Sequence, residues 1–308
     1  MNPLRKALDQ YLAVRRSVGF KLDRDGLLLP DFITYLERHG AQTITTELAL
    51  AWAKQPVAAH PAWWATRFGM VRGFAKHLQA IDARTEVPAA DLLPRQVRRV
   101  TPYLYSEQEI VRLLRAAQEL RPPLRAATYK TLFGLLAVTG MRFGEAIRLD
   151  RPDVDFTHGL LVIRNSKFGK SREIPLHDTT VEALRAYARL RDRIGPRPKS
   201  SSFFLSRTGA RLIYNNAHRV FWKLVRSAGL EPRSARCRPR PHDLRHTFAV
   251  RTLLEWYRAG ANVQARLPVL STYLGHFHPS STYWYLSAAP ELLALASQRL
   301  ESAWRETP

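Results

Sequence analysis

Tyr273-Leu274-Gly275-His276, with Tyr285 nine residues beyond the histidine, is the stretch that organises this chain, together with Arg240-Pro241-His242-Asp243-Leu244-Arg245-His246-Thr247 upstream. A histidine and an arginine three apart share one side of a helix start. A second histidine follows a glycine, and the tyrosine closes the run Thr282-Tyr283-Trp284-Tyr285. Neither paired carboxylates nor the ligand spacing of a zinc cage accompanies them. The set suits the holding of a negatively charged group and its attack by a phenol. Singly, each residue has a plainer reading: His276 as a helix cap, Tyr285 as core, an arginine or lysine as a solvated charge.

Charge points the same way. The 308 residues carry Lys+Arg 48 against Asp+Glu 26, a net +22, with a pI near 10.8. Such an excess concerns partners rather than fold, and nucleic acid is the default polyanion. From Arg207 to Arg245 ten Lys/Arg face only Glu231 and Asp243, and this stretch leads into the histidine–arginine motif. No apolar run approaches the ~20 residues that cross a membrane, so no membrane partner is expected. The start Met1-Asn2-Pro3-Leu4-Arg5-Lys6 lacks a signal-peptide apolar core. The single cysteine, Cys237, leaves no internal disulfide and fits a reducing compartment. A cytoplasmic location is expected.

Outward from the motif, the chain reads as two domains with a linker. Residues 1–82 predict a helical, DNA-binding bundle. Leu4, Leu8, Tyr11, Leu12 and Val14 recur at helical spacing; a second helix spans Leu27–Arg38 and a third is capped by Thr45 or Thr46. A fourth runs from Trp63 to Leu78 with a basic stripe of Arg67, Arg72, Lys76 and His77. Residues 83–103, with Pro88, Pro94, Pro102, Arg95, Arg98 and Arg99, read as a basic linker. A second domain, 104–308, opens with the capping box Ser106-x-x-Glu109. Within it, Leu160–Ile163 and Arg172–Leu176 predict a hairpin whose turn holds Lys167, with a further short strand at Phe203–Leu205. Glu255–Leu267 reads as inserted material, and Pro290 opens an amphipathic tail helix with Leu292, Leu293, Leu300 and Trp304.

Metal-free phosphodiester cleavage needs a nucleophile, cations to neutralise the transition state and a proton for the leaving oxygen. Thr139-Gly140-Met141-Arg142-Phe143-Gly144-Glu145, Lys167 in its hairpin, His242-Asp243-Leu244-Arg245-His246-Thr247-Phe248 and Leu274-Gly275-His276 with Tyr285 offer those groups in order. In that order they resemble the tyrosine recombinase (phage integrase) family over roughly residues 104–300. The resemblance implies a fold that is mainly α with a small antiparallel β-sheet in the C-terminal domain, the two lobes forming a C-shaped clamp on DNA. It implies Tyr285 as nucleophile on the scissile phosphate, giving a 3′-phosphotyrosyl link. Arg142 and Arg245 clamp the non-bridging oxygens, Lys167 protonates the leaving oxygen, His242 assists as acid/base and His276 positions the phosphate. Glu145 and Asp243 orient their cationic neighbours. Tyr283 is the rival nucleophile and Lys170 the rival to Lys167. No cofactor and no metal are implied. The implied partners are double-stranded DNA with a specific recombination site, a homo-tetramer on paired sites, with the tail helix docked on a neighbouring protomer, and accessory recombinases. The run Leu267–His276 is similar to recombinases of mobile elements. A type IB-like topoisomerase and a DNA-binding regulator that has lost catalysis stay open as alternatives.

Overall fold

The computed structural model describes residues 3–94, 101–164, 171–276, 278, 280–287 and 291–298. The chain divides into two compact units, Met1–Arg99 and Val100–Pro308.

The first unit holds four helices: α1 (Pro3–Ser17), α2 (Asp25–Arg38), α3 (Thr46–Lys54) and α4 (Pro61–Gln79). The Thr45 hydroxyl accepts from Leu48 N and starts α3, and Pro61 opens α4, where its missing N–H costs nothing. Leu8, Tyr11, Phe32, Ile33, Trp52, Phe68 and Phe74 form the core. Val14, placed by spacing with the apolar face of α1, is exposed instead. The basic stripe of α4 also needs correcting. Arg67 is 6% exposed; its guanidinium lies over the Trp52 ring at 3.7 Å and donates to Trp52 O. It is a core cation rather than part of a DNA-facing surface, while Lys76 is exposed. Of the stretch read as a linker, residues 83–94 pack within this unit, through Leu93 in its core and Glu86, whose N–H donates to Ile44 O. Arg95, Arg98 and Arg99 lie outside the described residues.

The second unit begins with the capping box, Ser106 and Glu109 each satisfying the other's backbone N–H, at α5 (Glu107–Gln118). There follow α6 (Pro123–Thr139), α7 (Phe143–Arg148), β1 (Val154–Asp155), β2 (Leu160–Ile163), β3 (Arg172–Pro175), α8 (Asp178–Ile194), α9 (Tyr214–Ser227), α10 (Asp243–Arg258), α11 (Val263–Leu274) and α12 (Ser280–Tyr283). A 3-10 turn, Trp284–Ser287, and a helical stretch at 291–298 complete it. The strands form one antiparallel sheet in the order β1-β2-β3, with Leu161 opposite Ile174 and Ile163 opposite Arg172. Its apolar face, Leu161, Ile163 and Ile174, joins the main core around α6.

One expectation changes here. Phe203–Leu205 is not a strand: only Ser202 and Leu205 make single bridges, to Asp150 and Arg211. Successive strand residues point to opposite faces, but Phe203 and Phe204 both turn into one aromatic cluster with Tyr187. Glu255–Leu267, read as inserted material, is built into two helices. It is the last turn of α10, a reversal through Gly260 (φ +70°) and the start of α11, capped by Asn262 Oδ1 accepting from Ala265 N. Val263 and Leu267 are buried there. In the tail, Leu292 is buried in a cluster with Leu253, Leu270, Leu274 and Tyr285. Leu300 and Trp304 lie outside the described residues.

Candidate active site

The site is assembled at the C-terminus of α11. A helix leaves its last four carbonyls without intrahelical partners. Gly275 adopts the left-handed conformation (φ +69°), and the chain turns so that Gly275 N donates to Thr272 O and His276 N to Ser271 O. This Schellman-type ending uses the carbonyls of 271 and 272. The next three carbonyls are each taken by an arginine. Arg172 Nε donates to Tyr273 O at 2.9 Å, Arg245 Nη2 to Leu274 O at 2.8 Å and Arg142 Nη2 to Gly275 O at 2.6 Å. Cations at the negative end of a helix are stabilised by its dipole, so the ending fixes three guanidinium groups side by side.

Each arginine arrives from a different element. Arg142 is the N-cap residue of α7, following the left-handed Gly140 that stops α6. Arg245 sits in the first turn of α10 and also donates to Gly140 O at 3.0 Å, tying the ends of α6 and α11 together. A side chain at Gly140 would bring its Cβ to 2.5 Å from the Phe248 ring. Arg172 is the first residue of β3. Glu145 spans two of the three: Oε1 accepts from Arg142 Nη1 at 2.7 Å, and both its oxygens accept from Arg172, at 3.2 and 2.8 Å. Burial alone would raise the Glu145 carboxyl; the hydrogen bonds and charge of Arg172, then those of Arg142, outweigh it and hold the group down, to about 2.

Tyr285, delivered by the turn after α12, is 2% exposed. Its ring stacks near His276 (5.9 Å between centroids) and meets the edge of His246 (5.4 Å), which in turn meets His242 (4.7 Å) and Trp284 (5.1 Å). Burial raises the phenol above its ordinary pKa, and the charges of Arg245 and Arg142 oppose that rise. His276 Nδ1 shares a 2.7 Å hydrogen bond with the buried Thr282 hydroxyl. Burial and the neighbouring arginines push the imidazoles down: His276 and His246 to about 3, His242 to about 4. His242 keeps an exposed edge. Arg245, the most enclosed cation, is lowered by burial to about 10 and stays charged at neutral pH. Behind the histidines, buried Asp243 accepts two hydrogen bonds from Arg240, at 3.0 and 2.8 Å.

Five of the six residues singled out by sequence, Arg142, His242, Arg245, His276 and Tyr285, thus converge. Lys167, and its rival Lys170, lie outside the described residues, in the connection that leads into Arg172. Tyr283, the rival to Tyr285, is 52% exposed. Two residues at the site were missed. His246 stood in the quoted motif without a role, and its position one turn from His242 was the available signal. Arg172 had none, because a strand residue after a basic turn reads as a solvated charge. Among the described residues, no group of three or more His, Cys, Asp or Glu could hold a metal ion, and no helix is long and apolar enough to cross a membrane.

Comparison with known proteins matches residues 104–291 to the phage integrase family. The chain is 46% identical over 312 residues to a protein of Sinorhizobium fredii (strain NBRC 101917 / NGR234) named integrase/recombinase y4rB, covering 99% of each chain. It is 32% identical to the tyrosine recombinase XerD of Mycobacterium tuberculosis (strain ATCC 25618 / H37Rv), over 70% of this chain and 66% of that one. In fold it is similar to XerH recombinase bound to its difH substrate (TM-score 0.63, 16% identity, 99% and 97% of the two chains). A lambda integrase dimer bound to a core site shares the fold as well (TM-score 0.60, 19% identity, 91% and 94%). A match over more than half of its length, with a relative 46% identical along almost all of it, places the chain in the phage integrase family of tyrosine recombinases.

Proposed function

We propose that this chain cleaves and rejoins DNA strands at a specific site through a 3′-phosphotyrosyl intermediate on Tyr285, without a metal ion. The observation that carries this reading is the gathering of two arginines and three imidazoles around one buried phenol. In the proposed step Tyr285 Oη attacks the scissile phosphorus, its proton passing to neutral His242. The P–O5′ bond breaks, and Lys167 supplies the proton that the leaving 5′-oxygen needs. Arg142 and Arg245 neutralise the non-bridging oxygens, and His276, oriented by Thr282, positions the phosphate. A raised phenol pKa leaves the nucleophile protonated until a phosphate arrives, so an adjacent base is required. The intermediate keeps the phosphodiester's energy, and a free 5′-hydroxyl can reverse the step on another strand.

The partners that fit are double-stranded DNA, met by the net charge, and further copies of the chain as a tetramer on two paired sites, with accessory recombinases in some reactions. XerH and lambda integrase are solved bound to DNA, lambda integrase as a tetramer on a Holliday junction. The work is that of a mobile element in the cytoplasm. The test is a pool of suicide duplexes with randomised centres, scored for covalent adduct on a denaturing gel. Wild-type protein forms an adduct; Tyr285→Phe binds the recovered duplex and forms none. An adduct from Tyr285→Phe would give the chemistry to another nucleophile.

A further inference from the structure

We propose that Arg172 is a positioning residue for strand cleavage: it occupies Glu145 and Tyr273 O so that Arg142 keeps an uncompensated positive charge for the phosphate. The proposal rests on the reading of Arg142 as a phosphate ligand.

Glu145 sets the charge balance around Arg142. Its carboxylate touches Arg142 at 2.7 Å, and Arg142 N also donates to Oε2 at 2.9 Å. A lone Arg142–Glu145 pair would be neutral, and a neutral pair is a poor trap for an anion. Arg172 changes the sum. It binds both oxygens of the same carboxylate, in the two-pronged geometry that suits a guanidinium, and the cluster of two arginines and one glutamate carries a net positive charge. The division of labour is visible in exposure. The Arg172 side chain is 10% exposed and that of Glu145 2%, while that of Arg142 is 26% exposed. The open face of the cluster therefore belongs to Arg142.

Arg172 Nε holds Tyr273 O, two residues before the Gly275 carbonyl that Arg142 holds. A Cβ on Gly275 would lie 2.8 Å from Arg172 Nη1 and 3.1 Å from Cζ, so the turn that presents His276 is built around this guanidinium. Arg172 also begins β3, immediately after the connection that contains Lys167. One side chain thereby links the hairpin, Glu145 with Arg142, and the His276 turn.

A residue that only braced the fold would make these substitutions additive or worse; an electrostatic positioning role predicts rescue. The full chain is assayed in single turnover on the duplex recovered from the suicide pool. Arg172→Gln slows adduct formation about 100-fold, the scale of a small misplacement of a reacting group. Non-covalent binding, read in a Tyr285→Phe background, changes little, because many other cations carry it. Removing the glutamate charge as well, in Arg172→Gln with Glu145→Gln, restores the cluster's net charge and returns about tenfold of the lost rate. A double variant as slow as Arg172→Gln, or slower, overturns the proposal. Should Arg172→Gln fail to unfold cooperatively in urea, the double variant and Arg172→Lys decide, since both keep the charge. Adduct rates in both within about tenfold of wild type uphold the proposal, and a greater loss in either overturns it. An adduct from Tyr285→Phe would instead sink the reading of the site, an outcome separate from all of these.

Discussion

Gly275 is required twice, once by its backbone and once by its neighbour. Its φ of +69° belongs to the left-handed region, and the space where a Cβ would stand holds Arg172. Gly275→Ala is expected to destabilise the protein by at least about 1–2 kcal/mol from the backbone alone, read by urea unfolding, and to slow adduct formation by displacing Arg172. The histidines give a second residue-scale prediction. His242, His246 and His276 sit at about 4, 3 and 3 against an ordinary 6.5. A histidine lowered in the folded state binds fewer protons there than when unfolded, so between these values stability rises with pH and is lost on acidification. The melting temperature of the DNA-free protein should fall from neutral pH to about pH 5, and His246→Gln should make that fall shallower. An unchanged slope would assign the effect to other groups. At this scale Arg142, His242, Arg245, His276 and Tyr285 lie together in the structure, and it was their order along the chain, read as a family resemblance, rather than any single spacing that had picked them out. Arg172 and the inward Arg67 were illegible. An arginine's burial depends on a distant carbonyl, carboxylate or ring that no local spacing encodes.

At the scale of elements, what was legible followed the strength of the local chemistry. The Ser106–Glu109 box, the Thr45 cap and the β2–β3 pair stand where sequence placed them, each fixed by side chains within a few residues or by strand periodicity. At 255–267 the sequence reading missed the helix punctuation at Gly260 and Asn262. Gly260 ends α10 and Asn262 opens α11, so the interval reads as two packed helices once both are recognised. That correction is testable. Leu267, 2% exposed in the cluster that contains Tyr285, should cost about 2–5 kcal/mol on Leu267→Ala. An inserted loop would tolerate the change within about 0.5 kcal/mol. Adduct formation should fall with it, since the same cluster supports the nucleophile. In the first unit, Arg67→Ala should lower stability by about 1–3 kcal/mol, because it removes a stacked cation and one of the two hydrogen bonds that Trp52 O accepts, the other coming from Gln55 N. Lys76→Ala should leave stability unchanged and weaken DNA binding.

For the whole molecule the governing quantity is the net charge of +22, which the internal ion pairs barely reduce as a binding resource. Several arginines are committed inside: Arg67 to Trp52, Arg172 to Glu145, Arg240 to Asp243 and Arg211 to Asp150. The three ion pairs each consume a carboxylate, so the excess of 48 basic over 26 acidic residues survives the pairing. DNA binding should therefore be driven largely by counterion release. With about 6–10 phosphates contacted, affinity should fall roughly 10³–10⁵-fold as salt rises from about 50 to 200 mM. Chemistry should respond differently. The groups proposed to neutralise the transition state are guanidiniums fixed by helix-end carbonyls, and none of them depends on a divalent ion. Once protein and duplex are held together at low salt, the rate of adduct formation should be unchanged by excess chelator and only weakly dependent on added magnesium. A rate that collapses in chelator and returns with magnesium would move the catalytic charge from Arg142 and Arg245 to a metal. A salt-sensitive affinity with a chelator-insensitive rate would separate the two uses of arginine in this chain, one to gather the polyanion and one to stabilise a single phosphate.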